Sequence, residues 1–189
     1  MSAKVLFTSD LHIGHRKIVE YTNRGVDTTQ EEHDRWIIDL WNSQVDKDTT
    51  VYSLGDFVFN CRKLDKFKSV TDRLNGQKIL IRGNHCSREV YQKSGFQWYD
   101  LKGFNIEGQY IVMCHYAMRV WDKYHHGSWQ LYGHSHGSLD GIGKQVDVGL
   151  DSAYNILGEH RFFTMDDLRQ IMSEREIMFH DHHTERTKQ

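Results

Sequence analysis

Five short polar clusters carry the residues that could do chemistry: Asp10-Leu11-His12, Gly55-Asp56, Gly83-Asn84-His85, His115 and Gly133-His134-Ser135-His136. Between them they offer three oxygen ligands (Asp10, Asp56, Asn84) and four imidazoles (His12, His115, His134, His136). Neutral imidazole is the commonest metal ligand. One mononuclear site does not use so many protein ligands, whereas two sites sharing a carboxylate do. A pair of ions about 3.5–4 Å apart is the arrangement that favours in-line displacement at phosphorus. Oxygen and nitrogen ligation without a required thiolate suits Mn²⁺, Fe or Zn²⁺, with Co²⁺ or Ni²⁺ able to substitute in vitro. Singly, each cluster also reads as an ordinary turn, because Asp, Asn and Gly form turns at strand ends. Their repetition carries the inference.

These clusters must be positioned by the runs before them. Lys4–Ser9, Thr50–Leu54 and Lys78–Ile81 are short and apolar, each ending at one of the clusters, and are predicted to be buried strands. Between the first two, Thr28 and Thr29 each precede a Glu by three residues, a capping-box signature. Behind it His33, Trp36, Ile37, Leu40, Trp41 and Gln44 share one face, predicting a helix over 30–45 with a core stripe. Leu64, Phe67, Val70 and Leu74 space a second helix, closed by Asn75-Gly76. Beyond it, segments at 97–101, 103–107, 109–114, 129–133, 144–150 and 160–164 read as a strand-rich meander, with Asp147-Val148-Gly149 backing the last ligands. Thr164 with Asp167 opens a last helix over 165–174. The whole predicts an α/β chain of βαβα followed by mostly β, with two packed sheets. It forms one domain over 1–175 and a charged, His-rich tail over 176–189.

Composition bounds the function. At 189 residues with 38% hydrophobic content the chain can bury a core, and its net charge of −2 gives no general attraction to nucleic acid or membrane. No stretch approaches the roughly 18 apolar residues of a membrane helix. The N-terminus enters a strand directly, with no leader pattern. Three Cys (Cys61, Cys86, Cys114) suggest a reducing compartment rather than a disulfide framework.

The five clusters, in this order, resemble the signature blocks of the calcineurin-like metallophosphoesterases. Ser9-Asp10-Leu11-His12-Ile13-Gly14-His15 and His115-Tyr116 are similar to small single-domain members from bacteria and their phages. The resemblance runs from about Lys4 to Asp151. It implies a four-layer α/β/β/α sandwich and a cytoplasmic enzyme, bacterial or phage-encoded. It implies two divalent metal ions, one on Asp10, His12, Asp56 and His136, the other on Asp56, Asn84, His115 and His134, with Asp56 as the bridge. His85 is then the catalytic non-ligand histidine that protonates the leaving oxygen or stabilises charge. The implied reaction is hydrolysis of phosphate mono- or diesters by metal-bound hydroxide. A small phosphate ester or nucleotide phosphodiester is the favoured substrate. A non-catalytic metal-binding interaction module and a nuclease acting on nucleic-acid ends are the alternatives. The sequence departs from the family where an acid commonly follows the catalytic histidine, here Cys86; where Pro commonly follows His-Tyr, here Ala117; and in Phe57-Val58-Phe59-Asn60, which lacks a His found in some branches.

Three further residues are candidates for holding substrate phosphate: His15, Arg16 and Arg119, each also readable as a solvated side chain. The loop 117–130 carries Trp121, Tyr124, His125, His126 and Trp129, which could stack a base or simply pack. Trailing His180, His182 and His183 read as a solvated tail.

Overall fold

The computed structural model describes residues 4–22, 24 and 29–179. The apolar runs become strands that stop where the polar clusters begin. β1 (Val5–Thr8), β2 (Thr50–Ser53), β3 (Gln77–Ile81) and β4 (Gln97–Tyr99) are parallel neighbours. The short β9 (Phe163–Thr164) pairs antiparallel on the free side of β1, giving the order β4-β3-β2-β1-β9. A second sheet holds β5 (Leu101–Ile106), β6 (Gln109–Cys114), β7 (Trp129–Tyr132) and β8 (Gln145–Asp147) in that order.

Here the expected meander is corrected. Only β5 and β6 form a hairpin, and β6, β7 and β8 run parallel. Residues 115–128 and 133–144 are long enough to return the chain for parallel pairing, which needs about a dozen residues or more. The segment 97–101 also divides, its first part joining the first sheet as β4.

Six helices are present among the described residues: α1 (Ile18–Tyr21), α2 (Gln30–Gln44), α3 (Leu64–Thr71), α4 (Arg88–Ser94), α5 (Leu150–Leu157) and α6 (Met165–Ser173). The capping box of α2 is Thr29 with Glu32; Thr28 lies outside the described residues. α3 ends at Thr71, short of the expected Asn75-Gly76 stop, and Gly76 serves the following turn at φ 73°. α4 and α5 were not predicted. Both follow residues that make no side-chain capping bond, and each ends on a left-handed glycine, Gly95 and Gly158. Those glycines are the available signal. None of these helices is long and apolar enough to cross a membrane.

Alternation along the central strands buries both faces of the first sheet. Leu6, Val51 and Leu80 join Ile37, Ile38, Trp41, Phe67 and Val90 from α2, α3 and α4. Their neighbours Phe7, Tyr52 and Ile81 join Ile111, Met113, Leu131 and Val146 of the second sheet, with Met165, Leu168 and Met172 of α6. The Trp36–Trp41 stripe is therefore core, as its spacing predicts.

The α6 cap gives a testable electrostatic contribution. Asp167 accepts from the Thr164 amide at 2.8 Å, and Arg161 forks onto its two oxygens at 2.6 and 2.8 Å. Arg161 and the Thr164 bonds outweigh burial and hold the Asp167 carboxyl down to about 2. Its folded value lies below the unfolded one of about 3.9, so the stabilisation is present above that value and is lost as pH falls toward the folded value. Asp167→Asn should lower Tm at neutral pH, and the gap to wild type should close between about pH 4 and about pH 2. A gap independent of acid would contradict this linkage.

Candidate metal centre

Because β1–β3 are parallel and β6–β8 are parallel, their carboxyl ends gather at one edge, where open parallel sheets place their ligands. The two sheets are stitched there. Ser9 and Gly149 form a parallel bridge between the sheets, and the Leu150 amide donates to the Ser9 carbonyl at 3.3 Å. Within each sheet the pairing runs on past the strand ends, with the amides of Asp10, His12 and Gly133 donating to the carbonyls of Gly55, Asp56 and His115 at 3.1, 2.9 and 3.0 Å. Asp10, His12, Asp56, Asn84, His85, His115, His134 and His136 all leave from this edge.

Two residues apart at a strand end, Asp10 and His12 would share a face if their segment stayed extended, but it does not. Asp10 (φ 57°), His12 (φ 53°), Asp56 (φ 46°), His134 (φ 70°) and His136 (φ 49°) are all left-handed. Asp, Asn and His tolerate this region better than most residues, and such strain collects at functional sites when the surroundings enforce it. The enforcing contacts are visible. Arg24 donates to the carbonyls of Asp10 and Leu11 at 2.7 and 3.0 Å. Two glycines permit close approach: a β-carbon on Gly83 would collide with Asp56 Oδ1 and its amide nitrogen, and one on Gly133 with Ser9 Oγ and Asp10 Oδ2.

Within the cluster each carboxylate has one tied oxygen and one open one. Asp56 Oδ1 accepts the His85 amide at 3.0 Å, while Oδ2 lies 3.3, 3.7 and 3.9 Å from Nε2 of His115, His85 and His12. Asp10 Oδ2 accepts the His134 amide at 2.8 Å, while Oδ1 lies 3.7 Å from His12 Nε2 and 4.0 Å from His136 Nε2. Asn84 Oδ1 sits 3.0 Å from His115 Nε2. Three groups could each hold an ion: Asp10, His12 and His136; Asp56, His115 and His134; and His12, Asp56 and His85.

Donors about 2.0–2.2 Å from a shared ion stand roughly 3–4 Å apart, which is the spacing seen here. The buried atoms Asp10 Oδ1, His12 Nε2 and His12 Nδ1 have no hydrogen-bond partner. Buried polar atoms without partners are costly; for Asp10 Oδ1 and His12 Nε2, which face each other, a cation between them removes the cost. The residues fit the ions.

Around these groups lies a ring of supports, of which the sequence reading held only Asp147-Val148-Gly149. His115 donates from Nδ1 to the Leu54 carbonyl at 2.8 Å, and His136 Nδ1 meets Asp151 Oδ2 at 2.6 Å. Asp151 is gripped by Arg24, with Nε to Oδ1 at 3.0 Å and Nη2 to Oδ2 at 2.9 Å. His33 Nε2 lies 3.2 Å from Arg24 Nη1, so His33 is more than part of a core stripe. Asp147 accepts from Ser135 and from the amides of Gly137 and Gly149, which holds the His134–Gly137 loop. Supports of this kind fix the ring orientation of ligand histidines.

Charge follows from this packing. Burial would raise the Asp56 carboxyl, but His115 and the His85 amide outweigh it and hold it well below the usual range. Burial lowers His12, against the pull of Asp10 and Asp56, leaving a neutral imidazole. For His115 and His136 burial also acts downward, but Asp56 and Asp151 respectively raise them overall. Those two protons must leave before the nitrogens can bind an ion. Mn²⁺ affinity should therefore rise from about pH 6 to about pH 8, with proton release seen by calorimetry in buffers of different ionisation heat. Affinity flat across that range would contradict it.

A cavity of about 740 Å³ opens beside the cluster, lined by His12, His15, His85, His134, His136 and the walls of α1 and α5. His15 is there, stacked on Phe59 with centroids 3.7 Å apart, and burial with nearby His12 and His85 lowers it to about 4. Arg16 and Arg119 are exposed and do not line this cavity. On the other side of His85 a smaller cavity of about 350 Å³ is lined by Asn60, Arg62, Arg82 and Ser87. In the loop 117–130, Trp121 and Tyr124 are buried with Val112, and Trp129 lies in the core between the sheets, so these aromatics pack. Cys86 is buried and its backbone pairs with that of Cys61, both thiols being free; the Cys61 thiol and burial push the Cys86 thiol up, so it stays neutral and cannot stand in for a carboxylate beside His85. His180, His182 and His183 lie outside the described residues.

No family model matches the chain. The gene 66 protein of Mycobacterium phage L5 is 39% identical over 99 residues, covering 49% of this chain and 46% of that protein, so the match spans about half of that relative's length. The gene 66 protein of Mycobacterium phage D29 is 27% identical over 91% of this chain and 97% of its own. Among solved structures, AQ665 from Aquifex aeolicus, a protein of unknown function, aligns with a TM-score of 0.67 and 19% identity over 90% of this chain and 100% of its own. The chain shares its mixed α/β fold with that bacterial protein and sequence with phage proteins.

Proposed function

We propose that this chain is a di-metal phosphoesterase of the calcineurin-like kind, in a four-layer α/β/β/α arrangement. The observation that carries the proposal is Asp56 Oδ2, one carboxylate oxygen common to the His12 side and the His115 side of the cluster. In this reading Asp10, His12, Asp56 and His136 hold one ion, and Asp56, Asn84, His115 and His134 the other. When bound, two divalent ions supply a nucleophile at neutral pH and stabilise charge on the phosphoryl oxygens.

The chain's own residues do the rest. Asp10 and Asp56 stay ionised and balance the cationic charge. Leu54 and Asp151 aim the imidazoles of His115 and His136. His85, a third exposed and 3.7 Å from Asp56 Oδ2, stands at the cavity wall, where it can give a proton to the departing oxygen. Cavities on both sides of His85 leave room for a group on each arm of the phosphate, which favours a diester.

The test is hydrolysis of bis-p-nitrophenyl phosphate beside p-nitrophenyl phosphate, using metal-stripped protein before and after adding Mn²⁺. Turnover that depends on Mn²⁺ and is faster on the diester is expected. Folded, metal-loaded protein inert to both would sink the hydrolase and leave a metal-holding interaction module.

A further inference from the structure

The large cavity has an aromatic wall that the chemistry above does not use. Exposed tyrosines are ordinary when scattered. Here Tyr21 (68% exposed) and Tyr154 (39% exposed) both line the cavity that holds His12, His134 and His136. One face of the Tyr154 ring is covered by His160, with centroids 4.7 Å apart and planes at 20°, and His160 in turn meets Trp36 edge-on at 5.3 Å. The row Trp36–His160–Tyr154 thus ends at open space beside the metal ligands.

The register of α5 sets the distance. Asp151, which aims His136, is three residues before Tyr154 and four before Asn155, so all three share one helix face. Tyr154 therefore stands one helical turn from the group that orients His136, on the wall of the cavity that also holds His12 and His134. The Asn155 amide Nδ2 lies 2.7 Å from where a β-carbon on Gly137 would sit, and Gly137 is left-handed at φ 72°. Asn155 lines the same cavity, its side-chain amide unengaged by any hydrogen bond among the described residues. A primary amide can pair bidentately with the edge of a base such as adenine.

We propose that this wall is a nucleobase subsite, with the base stacked on the open face of Tyr154, Tyr21 closing the far side and Asn155 meeting the base edge. The proposal rests on the phosphoesterase reading for the placement of the phosphate, and it names the substrate class as nucleotide esters. It also moves base stacking away from the loop 117–130, whose aromatics are buried.

The probes are adenosine 5′-monophosphate and ribose 5-phosphate, titrated calorimetrically into the full chain loaded with Mn²⁺. They share the phosphate and ribose and differ in the base. Base–aromatic stacking predicts that the adenine compound binds at least about fivefold more tightly. Tyr154→Ala should erase that difference and Tyr154→Phe should keep it, with both variants checked for fold by circular dichroism. Equal or absent binding of the two probes to wild type, or a difference that survives Tyr154→Ala, would overturn the subsite. A chain that prefers the adenine compound but hydrolyses no phosphate ester would refute the phosphoesterase reading and leave the subsite standing. A chain that hydrolyses phosphodiesters without the preference would do the reverse.

Discussion

His85→Ala should lower kcat by about 10²–10⁴-fold, the usual contribution of a positioned general acid, while leaving the metal content unchanged. The ring's Nε2 is 3.7 Å from Asp56 Oδ2, and its side chain is about a third exposed on the cavity wall. A proton donor matters most when the departing oxygen is a poor leaving group. The loss should therefore be small for p-nitrophenyl esters, whose anion leaves readily, and should grow as the leaving phenol becomes less acidic. A loss that ignores the leaving group would remove His85 from the acid role. A fall in bound metal would instead make it a ligand, in the group it forms with His12 and Asp56. Cys86 sharpens the point: the residue that follows His85 is a neutral thiol, and the carboxylate beside the ring is Asp56 itself.

Arg24→Met should destabilise the metal-free chain by about 3–5 kcal/mol, read from urea unfolding. Arg24 is fully buried, and its guanidinium serves Asp151 through two bonds and the Asp10 and Leu11 carbonyls through two more. Removing it strands the Asp151 carboxylate, which Arg24 and His136 together hold well below the usual range against the upward push of burial. The double variant Arg24→Met with Asp151→Leu should recover part of the loss, because the stranded charge is gone. A single variant as stable as wild type, or a double no better than the single, would contradict this account. Loss of the pair should also weaken metal binding about 10–100-fold, as removal of groups that orient ligands does.

Most of what was legible in the sequence was local. Apolar runs ending in Asp, Gly or His marked the strand ends at Asp10, Asp56, Asn84 and His115. The Thr29–Glu32 and Thr164–Asp167 boxes marked the starts of α2 and α6. α4 and α5 were missed because they are short and begin without a side-chain cap, so only their terminal glycines speak for them. The parallel order of β6, β7 and β8 was missed because short alternating segments look alike whether the chain doubles back or crosses over.

At the site, the seven candidate ligands were readable from motif, yet their left-handed backbone was not, since nothing in Asp10-Leu11-His12 announces it. The supports were least visible. Arg24 and Asp151 are 127 residues apart and belong to no shared motif, and a lone Arg or Asp is ordinarily a surface residue.

The centre of this account is that one carboxylate serves two ions, and electron paramagnetic resonance during Mn²⁺ titration of the metal-stripped chain tests it most directly. Two Mn²⁺ per chain are expected, with the spectrum passing from isolated ions to an exchange-coupled pair as the second binds, and Asp56→Asn should abolish the coupling. A single bound ion, or two ions that remain magnetically independent in wild type, would contradict it.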